Sequence, residues 1–119
     1  MMLINKVIKR IKAHRDISKM GMIATHLGLV RSTSLNGSAV RAMEIDFDPA
    51  AVARIIEDTK KIPGIIEVVI EYNSGTLAVG EEVMAVGVGG DTREHVFPAL
   101  IGAVDRLKRQ ATSKREIFA

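Results

Sequence analysis

VRAMEIDFDPAAVARIIEDTKKIPGIIEVVIEY, residues Val40 to Tyr72, changes its hydrophobic period twice. From Val40 to Phe47 the residues alternate, with Val40, Ala42, Ile45 and Phe47 broadly on one side, which is the period of a half-buried strand. Asp48-Pro49 then marks a helix start, because Asp accepts from free amides at a cap and Pro suits the first helical position. Ala51, Val52, Ile55 and Ile56 supply the buried face of a helix running to about Lys61, and Pro63-Gly64 breaks it. Ile65 to Tyr72, rich in β-branched residues, predicts a second strand.

Working outward, Gly21 opens a strand-like run, MIATHLGLV, that ends at Arg31, and the polar segment Ser32 to Gly37 reads as a mobile turn. Upstream, Ile4, Val7, Ile8 and Ile11 recur at helical spacing between Lys6, Lys9, Arg10 and Lys12. That pattern predicts a short amphipathic helix packed on its own domain by one stripe. Downstream, Asn73-Ser74-Gly75 and Val79-Gly80 are turns, and a strand runs from about Glu82 to Val88. Gly89-Gly90-Asp91 leads into a last helix carrying Val96, Leu100, Val104 and Leu107. Asp91 and Glu94 have capping-box spacing, while Pro98 predicts either a kink or a start delayed to Phe97. The order helix, two strands, helix, two strands, helix predicts a single α+β domain over residues 1–119, with 1–20 forming the amphipathic helix and its connection.

The totals narrow the function. The chain has 119 residues, enough for one core. Three Phe, one Tyr and no Trp leave little to stack on bases, and a net charge of +3 from 17 basic and 14 acidic residues is modest, so both argue against nucleic acid as partner. The absence of Cys removes disulfides, thiolate metal sites and cysteine nucleophiles. No leader-like or membrane-spanning run stands out, and a cytoplasmic protein is expected.

Three groups of residues invite chemistry. GVGGDT, Gly87 to Thr92, reads as a tight strand-to-helix turn, with a phosphate cradle as the alternative. It lacks the third glycine of GxGxxG, where Thr92 stands, and any Walker lysine. His14, His26 and His95 have no metal-ligand spacing, so no metal is expected. His26 reads as a packed, hydrogen-bonded imidazole or as a group facing a pocket ahead of Gly28 and Arg31. Arg31, Arg93, Lys108 and Lys114 form either a solvated basic surface or, if the fold gathers them, an anion pocket. A lysine crowded by other cations becomes a plausible base or nucleophile.

Several motifs in order resemble one family. They are GMIATHLGLVR (Gly21 to Arg31), NGSAV (Asn36 to Val40), SGTLAVGE (Ser74 to Glu81), TREHVF (Thr92 to Phe97), and Leu107-Lys108 ahead of Lys114-Arg115-Glu116. Together they resemble the large, catalytic subunit of molybdopterin synthase, the MoaE family, over 21–116. The resemblance implies an α/β hammerhead-type domain with a mixed or antiparallel sheet and about three helices. It implies a homodimer within a heterotetramer, each protomer receiving the Gly-Gly tail of a small ubiquitin-like sulfur-carrier subunit. Sulfur from that tail's thiocarboxylate would pass to cyclic pyranopterin monophosphate, with no cofactor.

Carried over by position, Lys108 and Lys114 would be the catalytic lysines. Arg31, Arg93, Thr92 and His26 would form the substrate-binding set, with Arg93 reaching from the other protomer. Tyr72-Asn73 and Thr92-Arg93 stand where the family has His-Arg, Ala111 to Ser113 replaces Pro-x-Trp, and His26 replaces an aromatic. Those departures suggest an alternative, a non-catalytic MoaE-like homologue acting as a dimeric partner-binding or regulatory module.

Overall fold

The computed structural model describes residues 2–119. Among them are helix α1 (Leu3–Lys12), a 3-10 turn (Ile17–Lys19), strands β1 (Met22–Leu29) and β2 (Val40–Phe47), helix α2 (Pro49–Lys60) and strand β3 (Ile65–Tyr72). There follow β4 (Gly75–Ala78), β5 (Glu82–Gly90), helix α3 (Arg93–Arg106), a π-helical turn (Leu107–Ala111) and β6 (Thr112–Phe118). The strands form two antiparallel three-stranded sheets, ordered β1-β5-β3 and β4-β2-β6. The α+β expectation holds; the expected element order lacked β4 and β6.

The first sheet carries α1 on one face and α2 with α3 on the other. Alternation along β5 divides its side chains: Ala85 packs with Leu3, Val7 and Ile11 of α1, while Met84, Val86 and Val88 join the main core with Val96, Leu100 and Val104 of α3. Each buried aliphatic side chain contributes roughly 1.5–3 kcal/mol. On α1 the buried line is Leu3, Val7 and Ile11 rather than the expected Ile4, Val7, Ile8 and Ile11. A helix lying on a flat sheet touches it along a narrow i, i+4 line, and Ile8 falls outside that line, 37% exposed. The first backbone amide of α1, at Leu3, is capped from outside the helix by Glu82 Oε1 at 2.8 Å.

The GVGGDT reading is corrected for Gly87 to Gly90, and the strand-to-helix turn is confined to Asp91-Thr92. Gly87 to Gly90 lie inside β5, paired to β1 and β3, and make neither a turn nor a loop. A methyl group at Gly87 would meet Val7 Cγ1 and Ile11 Cδ1, and one at Gly89 would sit 2.7 Å from Met20 Sδ. The glycines therefore let α1 approach the sheet.

The α2 start is as expected: Asp48 accepts from the Ala50 amide at 3.0 Å, with Pro49 beside it. The α3 start differs. Thr92 is the cap residue and makes no side-chain cap bond, and Asp91 accepts from the Thr92 amide at 2.6 Å and pairs with His95 Nδ1 at 2.8 Å rather than working with Glu94. The helix begins at Arg93 and passes through Pro98, so a start at Phe97 is excluded. Along β2 the pairing with β6 slips between Val40 and Ala42. That slip turns Ala42 partly outward and buries Met43 with Ile45 and Phe47.

Candidate functional site

Where the two sheets meet, a cavity of about 650 Å³ opens to solvent. Its walls are the end of β1 (Gly28, Leu29), the segment from Arg31 to Asn36, the inner face of β2 (Met43, Ile45, Phe47), the start of β5, and the inward residues of β6. Those β6 residues, Thr112, Lys114, Glu116 and Phe118, are spaced by two, as one face of a strand requires. Phe47 and Tyr72 tie the sheets together behind this wall, with ring centroids 4.6 Å apart. Asn73 is also structural, donating through Nδ2 to the Glu82 carbonyl at 2.8 Å.

Three of the four expected cations line this cavity: Arg31, Lys108 and Lys114. The path of the chain explains it. Arg31 follows the end of β1. Lys108 sits in the π-helical turn that ends α3, and Thr112 closes that turn by donating from Oγ1 to the Leu107 carbonyl at 2.8 Å. The Ala111 carbonyl accepts from the Asp48 amide at 2.9 Å, which fixes the turn to the start of α2. The chain then enters β6, where Lys114 stands opposite Ile45 of β2. Among the described residues, none of the three cations has a carboxylate within ion-pair distance. Three unpaired positive side chains on an apolar-walled recess make a receptor for an anion.

Arg93 and Thr92 do not line the cavity. Arg93 is the first residue of α3, exposed, and a helix rise of 1.5 Å per residue puts it roughly 20 Å from Lys108 along the axis. The single chain therefore does not gather all four cations.

His26 lies on the α3-facing side of β1, opposite Val86. Its Nε2 is the only buried side-chain nitrogen or oxygen without a hydrogen-bond partner among the described residues, so the expectation of a hydrogen-bonded imidazole is corrected. That nitrogen is 3.8 Å from where a side chain at Gly28 would begin, and Gly28 itself lines the cavity. Burial, and after it the positive charge of Lys108, holds the imidazole below its ordinary value and keeps it neutral at pH 7.

Sequence reading missed part of the wall. The Ser32 to Gly37 segment is built into the site: the Ser34 amide donates to the Ser38 carbonyl at 2.8 Å, and Ser34 Oγ bonds Asn36 Oδ1. Glu116 and Phe118 also went unassigned, although the spacing of Thr112, Lys114, Glu116 and Phe118 carried a period-two signal.

The architecture and the motifs converge on one family. A family model described as MoaE protein matches residues 3–110. The chain belongs to the MoaE family. A molybdopterin synthase catalytic subunit from Nostoc sp. is 30% identical over 109 residues, covering 87% of this MoaE chain and 66% of that protein. The solved structure of molybdopterin cofactor biosynthesis protein E from Burkholderia multivorans superposes with a TM-score of 0.75 at 28% identity, covering 97% of this chain and 83% of that one. The complex of subunits 1 and 2 of molybdopterin-converting factor from Helicobacter pylori, at 15% identity and a TM-score of 0.70, covers 97% and 82% and shows the same fold. These relatives set the MoaE chain among proteins of molybdenum cofactor biosynthesis.

Proposed function

We propose that this MoaE chain is the catalytic-type large subunit of a molybdopterin synthase. It takes sulfur from the thiocarboxylated Gly-Gly terminus of a small partner and delivers it to cyclic pyranopterin monophosphate. The observation that carries the reading is the placement of Arg31, Lys108 and Lys114 on one cavity with no carboxylate paired to them. A Gly-Gly tail has no side chains, so its recognition must rest on its backbone and its anionic end. The substrate brings a phosphate. Both anions suit a recess on which three unpaired cations converge, because opposite charges attract there and planar or ammonium donors can bond the anion's oxygens.

In this reading Lys108 acts on the adduct formed with the tail, Lys114 contacts the pterin, and Arg31 holds phosphate or tail through its planar fork. Arg93, outside the cavity, takes part only if a second protomer brings it there. The Helicobacter pylori complex of two subunits supports a small partner for this fold.

The departures at Tyr72-Asn73 and Thr92 favour a second reading, a dimeric module that binds the partner's tail without turnover. Incubation of the purified chain with a thiocarboxylated Gly-Gly-ended partner and the cyclic precursor separates the two. Dithiolene product supports the synthase, and tail binding without product under any condition supports the module.

A further inference from the structure

Helix α3 is apolar on two sides. Val96, Leu100 and Val104 are buried in the main core, yet Phe97 and Ile101, on another side, are 46% and 62% exposed. The i, i+4 row that holds them runs from Arg93 through Phe97 and Ile101 to Asp105, and all four residues are exposed. Pro98 and Gly102 stand beside that row and are exposed too. The chain's own packing does not account for the glycine: a methyl group on Gly102 would meet nothing within 4 Å, and glycine weakens a helix interior. An apolar strip with a flat flank suits a second helix.

The charges at the two ends of the row identify that helix. Arg93 is the first residue of α3 and Asp105 lies in its last turn, so each opposes the dipole of its own helix. Neither has an ion-pair partner among the described residues. Turned antiparallel against itself, the row is self-complementary, because Arg93 and Asp105, like Phe97 and Ile101, are spaced symmetrically about Ala99. A parallel pairing would instead set Arg93 beside Arg93 and is repelled.

We propose that α3 pairs antiparallel with α3 of a second copy of this chain along the row Arg93, Phe97, Ile101 and Asp105, about a twofold axis at the level of Ala99. The contact uses the same patch on both copies, so an Arg93–Asp105 ion pair at each end flanks an apolar centre of two Phe97–Ile101 contacts. Rows spaced by four residues lie side by side when helices cross at about 50°. Asp105 stands one turn before Lys108, so the pairing also sets the first turn of one α3 beside the turn that carries Lys108 in the other copy. The inference does not depend on sulfur transfer, since it needs neither a small partner nor turnover.

Sedimentation equilibrium of the full chain over a concentration series tests it, with circular dichroism to check that each variant is folded. The unaltered chain is expected to dimerise. Ile101→Lys places two charges in the apolar centre and raises the dissociation constant about 100-fold. Arg93→Glu and Asp105→Arg each set like charges against one another and raise it about tenfold, while the double variant Arg93→Glu with Asp105→Arg returns it to within about threefold of the unaltered value. Both charge reversals sit on exposed side chains and agree better with the dipole of their own helix, so these variants keep the test open if Ile101→Lys does not fold. A monomeric unaltered chain, a dimer unmoved by Ile101→Lys, or a double variant no tighter than the single ones overturns the proposal. So does an Ile101→Lys chain that still self-associates but no longer captures a Gly-Gly-ended partner, which assigns the face to that partner instead.

Discussion

Gly87 of β5 lies directly beneath Val7 of α1, so that a single methyl group on Gly87 would overlap Val7 Cγ1 and come within 2.6 Å of Ile11 Cδ1. The buried line of α1 therefore depends on a missing side chain in the sheet. Gly87→Ala should destabilise the protein by about 1–3 kcal/mol, as overpacking of a tight contact does, measured by urea unfolding. A loss below the error of that measurement would show that α1 lifts away at little cost.

Thr112 closes the turn that carries Lys108. Thr112→Val keeps the shape but leaves the Leu107 carbonyl without its 2.8 Å donor. A stability loss of about 1 kcal/mol is expected. Because the same turn sets where β6 begins, sulfur transfer should fall by more than that stability loss explains. Full activity in the variant would mean that β6 pairing alone sets Lys114.

Acid should weaken the fold through His26. Its folded value is depressed below the ordinary 6.5, by burial first and Lys108 second. The unfolded chain then binds a proton that the folded chain refuses, so this contribution is fully present above pH 6.5 and is lost as pH falls through the folded value. His26→Phe should flatten the stability profile below pH 6.5, and Lys108→Met should raise the imidazole value part of the way back in an NMR titration. A titration unmoved by Lys108→Met would show that burial alone sets it.

Lys108 and Lys114 are exposed at the cavity and carry little of the core. Each Lys→Ala change should leave stability within about 0.5 kcal/mol while lowering sulfur transfer about 100-fold or more. Lys6→Ala, on the exposed face of α1, is the matched control and should change neither. Equal effects at Lys6 and Lys108 would reduce the cations to a general surface charge.

The sequence by itself determined the elements whose cause is local. Alternation in Val40 to Phe47, the β-branched run Ile65 to Tyr72 and the Asp48-Pro49 start of α2 were legible because strand period, strand propensity and helix capping act within a few residues. The family motifs singled out Arg31, Arg93, Lys108 and Lys114 together; three of these line one cavity and Arg93 does not. What only the tertiary structure decided depends on neighbours far along the chain. Strand β6 was hidden because its inward face carries Thr112, Lys114 and Glu116, so its burial pattern is polar where a core strand would be apolar. The four residues of β4 are too few to show a period. GVGG is strand because it pairs with β1 on one side and β3 on the other, while Gly87 and Gly89 leave room for α1. The cavity itself exists only once β6 pairs with β2 and the turn after α3 is pinned to Asp48, since long-range pairing, and not local propensity, brings Arg31 beside residues more than seventy positions away.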